Sequence, residues 1–223
     1  MQRLCEFFDI RPGITALIGG GGKTSTIYAL AEELRKKGSV IVCTSTHIIR
    51  PPQYSYLPRF SEKLLFGEVF STGSIDGHKL SAPEQSFEEL TQFADYVLVE
   101  ADGSRQLPLK AHASHEPVIP KEANQVIVVI GIDGLGKPIR DVAHRPELYA
   151  AIVHADIDAP VTAEMIRDVV YTYPLCDGVI INKADDSERF EKAMRLAALF
   201  DVPVAITAWQ TNDPIKAYRR KEV

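Results

Sequence analysis

Four consecutive glycines, Gly19–Gly22, are followed directly by Lys23, Thr24 and Ser25. Glycine loses more backbone freedom on folding than any other residue, so such a run indicates that another group approaches the backbone closely. Backbone N–H groups at the start of a helix, aided by the helix dipole, bind phosphate. Lys23 would contact the β- and γ-phosphates of GTP or ATP, and the Thr24 hydroxyl would bind Mg²⁺. The stretch predicts a P-loop in which the four glycines, Lys23, Thr24 and Ser25 bind a nucleotide.

The spacing of this loop departs from the usual pattern. The pattern G-x-x-x-x-G-K-[ST] requires glycine where this chain has Leu17. The shorter G-x-x-G-K-[ST] that is present resembles the loop of Mur-type ATP-dependent ligases. One alternative is a glycine-rich turn that only joins a strand to a helix. A dinucleotide fingerprint is disfavoured, because its third glycine and its ribose-binding acid are both missing.

A second candidate stretch ends an apolar strand predicted at Tyr96–Val99. Glu100 follows that strand, and Asp102 and Gly103 lie just beyond it. A carboxylate in this place is the Walker B arrangement, which binds Mg²⁺ and polarises an attacking water. Thr24 and Glu100 are therefore the predicted metal ligands, and Asp102 competes with Glu100 for the role. The predicted catalytic residues are Lys23, Glu100 and Asp102. The alternative is a solvated acid followed by an Asp-Gly turn.

A third candidate stretch is N-K-x-D, at Asn182, Lys183 and Asp185, after a strand predicted at Gly178–Ile181. In GTP-binding proteins the aspartate of this motif accepts hydrogen bonds from guanine, the asparagine faces its O6 and N7, and the lysine packs over the base. The three residues are predicted to bind the nucleotide base and to favour GTP. The alternative is a helix start, with Asp185 or Ser187 as the capping residue.

Two further polar stretches are candidates for a substrate or second site. Ligands of open parallel sheets bind beyond the carboxyl ends of strands, and a polar run follows the strand predicted at Val40–Cys43. A dense group of charged side chains follows the predicted Walker B strand. The alternatives are helix capping in the first stretch and solvated loop histidines in the second. The candidate residues are Thr44, Thr46, His47, Arg105, Lys110, His115 and Glu116.

The elements that position these residues alternate between apolar strands and amphipathic helices. This order predicts an α/β fold, a P-loop NTPase-like three-layer sandwich with a mostly parallel sheet and a small hairpin-containing insertion. We expect a single domain over residues 1–223, with the insertion at about 51–83. The hairpin is predicted over Phe70–Leu80, turning near Asp76–Gly77, and Val202–Ile206 is predicted to close the sheet.

Composition narrows the class of function. The 223 residues carry a formal net charge of −5, which argues against a nucleic-acid surface because binding to phosphate backbones needs a basic face. The basic residues from Arg219 to Lys221 are expected to form a solvated tail. No apolar run approaches a membrane span, and cytoplasm is the expected compartment. Cys43 and Cys176 lie in apolar surroundings and are expected to be small buried side chains.

These motifs together resemble the YqeC family. The resemblance covers most of the chain and rests on LIGGGGKTS (17–25), CTSTHI (43–48), LVEADGSRQLPLKAHASHEPVIP (98–120), HRPE (144–147) and INKAD (181–185). It implies a nucleotide-binding fold and an accessory role in the maturation of selenium-dependent molybdenum hydroxylases. A selenium-dependent molybdoenzyme, or the proteins that supply its cofactor, would then be the partner.

Three functions are compatible with the sequence. The favoured one is a Mg²⁺-dependent nucleoside triphosphatase, GTP preferred over ATP, that acts as a maturation factor. The second is a phosphotransferase or ligase that uses ATP on a small molecule. The third is a non-catalytic nucleotide-binding adaptor for a larger hydroxylase.

Overall fold

The computed structural model describes residues 3–77 and 79–220. It confirms the predicted α/β fold, since nine strands form a large, mostly parallel sheet flanked by helices, as in P-loop NTPase-like sandwiches. Within the described residues, no helix has both the length and the apolar character that crossing a lipid bilayer requires. The described helices are α1 Leu4–Phe7, α2 Lys23–Leu34, α3 Phe87–Phe93, α4 Ile139–Val142, α5 Pro146–Ile152, α6 Ala163–Tyr171 and α7 Ser187–Ala197, with a 3₁₀ turn at Ile132–Gly134.

The strands supply the frame on which the candidate residues lie. The described strands are β1 Gly13–Gly19, β2 Val40–Thr44, β3 His47–Ile49, β4 Ser55–Tyr56, β5 Val69–Ser71, β6 Ile75–Asp76, β7 Lys79–Ser81, β8 Tyr96–Glu100, β9 Leu109–Lys110, β10 Ala123–Gly131, β11 Ala143–His144, β12 Gly178–Asn182, β13 Val204–Thr207 and β14 Ile215–Arg219.

The described chain divides into two compact units, each assembled from separate stretches of sequence. Unit 1 contains the residues up to Ile18 together with 24–103 and 117–126. Unit 2 contains Gly19–Lys23, Ser104–Glu116 and the residues from Ile127 onward. The prediction of one domain over residues 1–223 stays a prediction, because compactness of the units does not test whether either folds alone.

Unit 1 contains the parallel strands β1, β8, β2, β5 and β4, paired in that order. β2 and β8 are buried along their whole lengths, as expected for strands covered on both faces. The predicted hairpin is present but shorter, because β6 and β7 pair antiparallel around Gly77. Phe70 lies outside it. Its strand, β5, instead adds to the large sheet beside β2, where its backbone finds a parallel partner.

Unit 2 contains the parallel strands β10, β12 and β13, followed by the antiparallel strand β14. The prediction that Val202–Ile206 closes the sheet is therefore wrong, because β14 covers the edge of β13. The prediction of a solvated basic tail is also wrong at Arg219. Its guanidinium donates to the carbonyl oxygens of Ala197 and Phe200, each at 2.9 Å, and so binds the carbonyls at the end of α7. Lys221 lies outside the described residues.

The carboxylate of Asp95, just before β8, binds the residue just before β2, both in unit 1. Asp95 Oδ2 accepts hydrogen bonds from the backbone N–H of Ser39 at 2.9 Å and from its hydroxyl at 3.0 Å. A side chain at Gly38 would contact the same carboxylate, so glycine is needed there. The backbone N–H of Ser39 lowers the pKa of Asp95 below its ordinary value, although partial burial acts in the opposite direction.

Replacing Asp95 by asparagine is expected to lower the free energy of unfolding by about 1 kcal/mol at neutral pH, because the charged acceptor of the Ser39 hydrogen bonds is lost from a partly exposed site. A carboxyl whose pKa is lowered by folding stabilises the protein above its ordinary pKa, and this contribution disappears as pH falls through the lowered value. The difference in the free energy of unfolding between wild type and Asp95→Asn should therefore shrink below about pH 4.

Urea unfolding at several pH values measures this difference. Asp141→Asn, which removes an exposed carboxylate 4.0 Å from Arg140, is the matched control and should change stability by less than about 0.5 kcal/mol.

Candidate functional site

The glycine loop in unit 2 lies in close contact with the chain around it. A methyl group on any residue of Gly19–Gly22 would overlap other atoms of the protein. The overlapped groups, in the order of the four glycines, are the carbonyl of Val129, the carbonyl of Leu107, the backbone of Gly131 and the side-chain amide of Asn182. Three of the four glycines also have positive φ, which other residues rarely adopt. The glycine run predicts that another group approaches the loop closely, and the groups that do so here belong mainly to the protein's own backbone.

Hydrogen bonds fix the same loop. The N–H of Gly20 donates to the carbonyl oxygen of Val129 at 2.9 Å, and the N–H of Gly21 donates to that of Leu107 at 3.0 Å. Lys23, only 3% exposed, donates from its ammonium group to the carbonyl oxygen of Gly19 at 2.7 Å. The lysine side chain thus folds back over the loop that precedes it. A P-loop lysine contacts phosphate oxygens, and that role of Lys23 stays a prediction.

The asparagine of the N-K-x-D stretch also belongs to the loop. Asn182 is buried; its amide nitrogen donates to the carbonyl oxygen of Gly21 at 2.8 Å, and its amide oxygen accepts from the hydroxyl of Thr207 at 3.1 Å. Both ends of the side chain are used within unit 2. Asn182 therefore holds the glycine loop against the end of β12, a structural role that the sequence motif does not disclose.

The other residues of the N-K-x-D stretch lie nearer the surface. The ammonium group of Lys183, a residue with φ of 66°, contacts Asp133 Oδ2 at 2.9 Å. Asp185 accepts from the guanidinium of Arg189 at 3.0 Å. The alternative of Asp185 or Ser187 as helix cap is wrong, because the carboxylate that accepts from the first turn of α7 is that of Asp186.

In unit 1, the two predicted metal ligands are in contact. The hydroxyl of Thr24 donates to Glu100 Oε2 at 2.9 Å, and Glu100 is only 7% exposed. The end of β2 lies against the same residue, since the Thr44 hydroxyl donates to the carbonyl oxygen of Glu100 at 2.7 Å and the N–H of Ser45 does so at 3.2 Å. The register of β8 with β2 pairs Glu100 with Thr44 and explains this proximity.

These oxygens suit Mg²⁺, which takes one or two protein ligands and completes its shell with water and substrate phosphates. The Ser45 hydroxyl is a further buried oxygen that has no hydrogen-bond partner within the described residues. Sequence reasoning did not include Ser45 among the site residues, although it lies in the polar run that was singled out. Across residues 3–77 and 79–220, no cluster of three or more His, Cys, Asp or Glu side chains could hold a metal.

The remaining predicted residues of unit 1 differ in exposure. Thr46 donates its N–H to the Thr44 hydroxyl at 3.0 Å, which shapes the turn after β2. Asp102 is fully buried, whereas Ser25 and His47 are exposed. His47 lies in β3, where it pairs with Ser81 of β7. Their predicted catalytic or binding roles stay predictions.

In unit 2, the second polar stretch forms a charged cluster. Glu116 Oε2 lies 3.0 Å from the ammonium group of Lys110 and 2.9 Å from the guanidinium of Arg145. Hydrogen bonds from both cations lower the pKa of Glu116 below its ordinary value, although burial, the largest single influence, acts to raise it. His115 Nε2 lies 3.4 Å from the same guanidinium. Sequence reasoning named Lys110, His115 and Glu116 but not Arg145, whose signal is the HRPE string: Arg145 has φ of 67° and precedes a proline that starts α5.

Replacing Asn182 by alanine is expected to destabilise the protein by about 2–3 kcal/mol, because it leaves the Thr207 hydroxyl and the Gly21 carbonyl without their partner. The melting temperature should fall by about 5–10 °C in scanning calorimetry. Asp185→Ala, which removes a partly exposed ion pair from the same motif, is the matched variant and should cost less than about 1 kcal/mol. Equal effects of the two substitutions would contradict the structural role of Asn182.

Comparison with known proteins identifies relatives of this chain. The family model described as "YqeC protein" matches residues 15–147, more than half of the chain. The chain is also similar to the uncharacterised protein YqeC of Escherichia coli strain K12, with 34% identity over 163 residues that cover 67% of this chain and 64% of the relative. The match thus spans slightly less than two thirds of the relative's length. The matched segment contains the glycine loop, Glu100 and the Lys110–Glu116 stretch, and this chain belongs to the YqeC family.

Proposed function

We propose that this protein binds a nucleoside triphosphate together with Mg²⁺ and hydrolyses it, with GTP favoured over ATP. The observation that carries the proposal is the 2.9 Å hydrogen bond between the Thr24 hydroxyl and Glu100 Oε2. A hydroxyl directly after the loop lysine and a carboxylate at the end of a buried strand are the two protein groups that bind the metal in P-loop nucleoside triphosphatases. Their contact is not required by the sequence spacing, since 76 positions separate them.

The glycine loop supports the phosphate-binding part of the proposal. Gly19–Gly22 is held in one conformation by Val129, Leu107 and Asn182, so its shape is set before any ligand binds. A preformed site loses less entropy on binding than a flexible one. Lys23 would exchange its hydrogen bond to the Gly19 carbonyl for one to a phosphate oxygen. Bound Mg²⁺ would neutralise the charge of the phosphates, while Glu100 would hold and polarise a water.

The preference for GTP rests on the N-K-x-D stretch. Asp185 is 30% exposed and is paired only with a half-exposed arginine among the contacts described for it, an ion pair worth at most about 1 kcal/mol. A guanine base could therefore take the place of Arg189 at small cost, with its N1 and N2 hydrogens donated to the carboxylate. Lys183 already stands near the surface, paired to Asp133.

The biological setting proposed is the maturation of selenium-dependent molybdenum hydroxylases, with a molybdoenzyme or its cofactor-supply proteins as partner, in the cytoplasm. Hydrolysis would switch the affinity for that partner. A thiol-based role in carrying selenium is not part of the proposal. Burial raises the pKa of the Cys43 thiol well above its ordinary value and that of Cys176 to about 12, so both remain protonated and weakly nucleophilic at neutral pH.

Binding of fluorescent GTP and ATP analogues, with and without Mg²⁺, tests the proposal. Lys23→Ala should weaken nucleotide binding by about 100-fold, because it removes the cation that faces the phosphates. Lys36→Ala, which changes an exposed lysine just beyond α2, is the matched control and should bind as the wild type does. Absence of binding by the wild-type protein would refute the proposal.

Thr24→Val and Glu100→Gln are expected to abolish the strengthening of nucleotide binding by Mg²⁺ while leaving metal-free binding within about threefold of wild type. Glutamine retains an oxygen that can accept the Thr24 hydrogen bond but lacks the charge that attracts the metal. Calorimetric titration in buffers with Mg²⁺ and with EDTA provides the comparison. A wild-type affinity that does not depend on Mg²⁺ would contradict the assignment of these two ligands.

Asp185→Ala is expected to remove a preference for GTP of about tenfold while ATP affinity stays unchanged. Equal binding of the two nucleotides by the wild type would show that Asn182–Asp185 has only its structural role, and would favour the ATP-dependent phosphotransferase. Steady-state phosphate release then separates the remaining functions. Turnover without an acceptor supports the triphosphatase, turnover that needs a small acceptor supports the transferase, and binding without turnover supports the adaptor.

A further inference from the structure

The charged cluster of unit 2 is built on a small ladder of its own. β9 and β11 pair in parallel, and their register sets Lys110 opposite His144. The ladder is fixed at one end by the Ala111 N–H, which donates to the His144 carbonyl oxygen at 3.1 Å. Tyr173 donates its hydroxyl to the carbonyl oxygen of Lys110 at 2.7 Å and so fixes it from the side. These contacts give the cluster a rigid base, which is what a binding site requires.

Exposure increases in order through the three charged members of the cluster. The side chain of Lys110 is 0% exposed, that of Glu116 is 13% exposed and that of Arg145 is 30% exposed. A ligand arriving from solvent would therefore meet Arg145 first. His115, which is exposed and lies 3.4 Å from the guanidinium, stands at the same rim.

The charged groups of the cluster act on one another at close range. Lys110 and Arg145 both contact a single oxygen of Glu116, so one carboxylate is shared between two cations. Burial lowers the pKa of His144, and Lys110, Arg145 and Arg105 lower it further, whereas Glu116 acts in the opposite direction. Charges in such a partly buried place are only weakly screened by water.

Two further features of the cluster raise the free energy of the folded protein. Arg145 has a positive φ, which is unfavourable for residues other than glycine and is concentrated at ligand-binding sites. The buried Nδ1 of His144 lacks a hydrogen-bond partner in the part of the chain that the structure describes. A ligand that accepts or donates a hydrogen bond there would relieve that cost.

We propose that Lys110, Arg145, His115 and His144 form a binding site for the phosphoryl group of a small molecule, with Glu116 as an internal carboxylate that positions the two cations and competes with the ligand. Guanidinium binds phosphate through paired N–H groups, and ammonium adds a point charge. A dianionic phosphoryl group is attracted more strongly by these two cations than a monoanionic carboxylate is. The site lies entirely in unit 2, and its existence does not depend on the proposed nucleotide function.

The test is a titration of the full chain with inorganic phosphate at constant ionic strength, followed through the imidazole NMR signals of His115 and His144. His115→Gln and His144→Gln assign the two signals among the six histidines of the sequence. We expect a saturable shift of both signals with a Kd of about 1 mM or below, and weaker binding of acetate. Nucleotide binding is measured separately with the fluorescent analogues, so a failure of either proposal is seen independently of the other.

Two substitutions should act in opposite directions. Arg145→Gln should weaken phosphate binding at least about tenfold, and Arg145→Lys should recover only part of it, because lysine lacks the paired N–H groups. Glu116→Gln should strengthen phosphate binding by about threefold or more, because it removes the competing charge. Arg140→Gln, at an exposed arginine of the same unit paired with Asp158, is the matched control and should leave the affinity unchanged.

A cluster that serves stability alone gives a different result. In that case the histidine signals would not move with phosphate up to about 50 mM, which mostly fills even a site with a Kd of about 10 mM. A shift that survives Arg145→Gln, or a Glu116→Gln variant that is folded by circular dichroism and binds phosphate more weakly, would equally overturn the proposal. The phosphate titration of the wild type decides the question even if a variant fails to fold.

Discussion

The close packing of the Gly19–Gly22 backbone against the neighbouring chain is the constraint on which the candidate site depends. A side chain at any of the four positions would overlap backbone or amide atoms of unit 2, and two of the loop N–H groups are donated to carbonyls there. Lys23, the first residue of α2, follows the loop directly. The amide of Asn182 supports the loop, so a motif that is usually described by its contact with a base has a structural function here.

Two glutamates, Glu100 and Glu116, have different kinds of partner in this protein. Glu100 accepts a hydrogen bond from a neutral hydroxyl, that of Thr24. Glu116 lies against two cations, Lys110 and Arg145, whose hydrogen bonds lower its pKa. The proposed metal site would use the first arrangement and the proposed phosphoryl site the second, although both contain one glutamate that is largely shielded from water. The groups that contact each glutamate, rather than the residue type, determine the difference between the two sites.

Much of the framework could be predicted from sequence alone. The apolar runs at Ile14–Ile18, Val40–Cys43 and Tyr96–Val99 are strands, because parallel strands buried on both faces need continuous apolar sequence. The start of α6 also has a local signal, since the hydroxyl of Thr162, just before the helical pattern, accepts a hydrogen bond from its first turn. The position of the hairpin at Gly77 was predicted correctly, but the hairpin is shorter than predicted. A strand such as β5 carries no local signal that distinguishes an antiparallel partner from a parallel one.

The sequence by itself determined the residue types that can bind phosphate, metal and base, and their places at the ends of strands, because periodicity and glycine content are local properties. It did not determine which of these residues meet. The Thr24–Glu100 contact, the use of Asn182 as a support for Gly21 and the joining of Arg145 to Glu116 each link positions far apart in the chain. Such contacts follow from strand order, register and side-chain burial, which are properties of the assembled sheet and its loops. The tertiary structure therefore decided which of these polar groups meet protein partners.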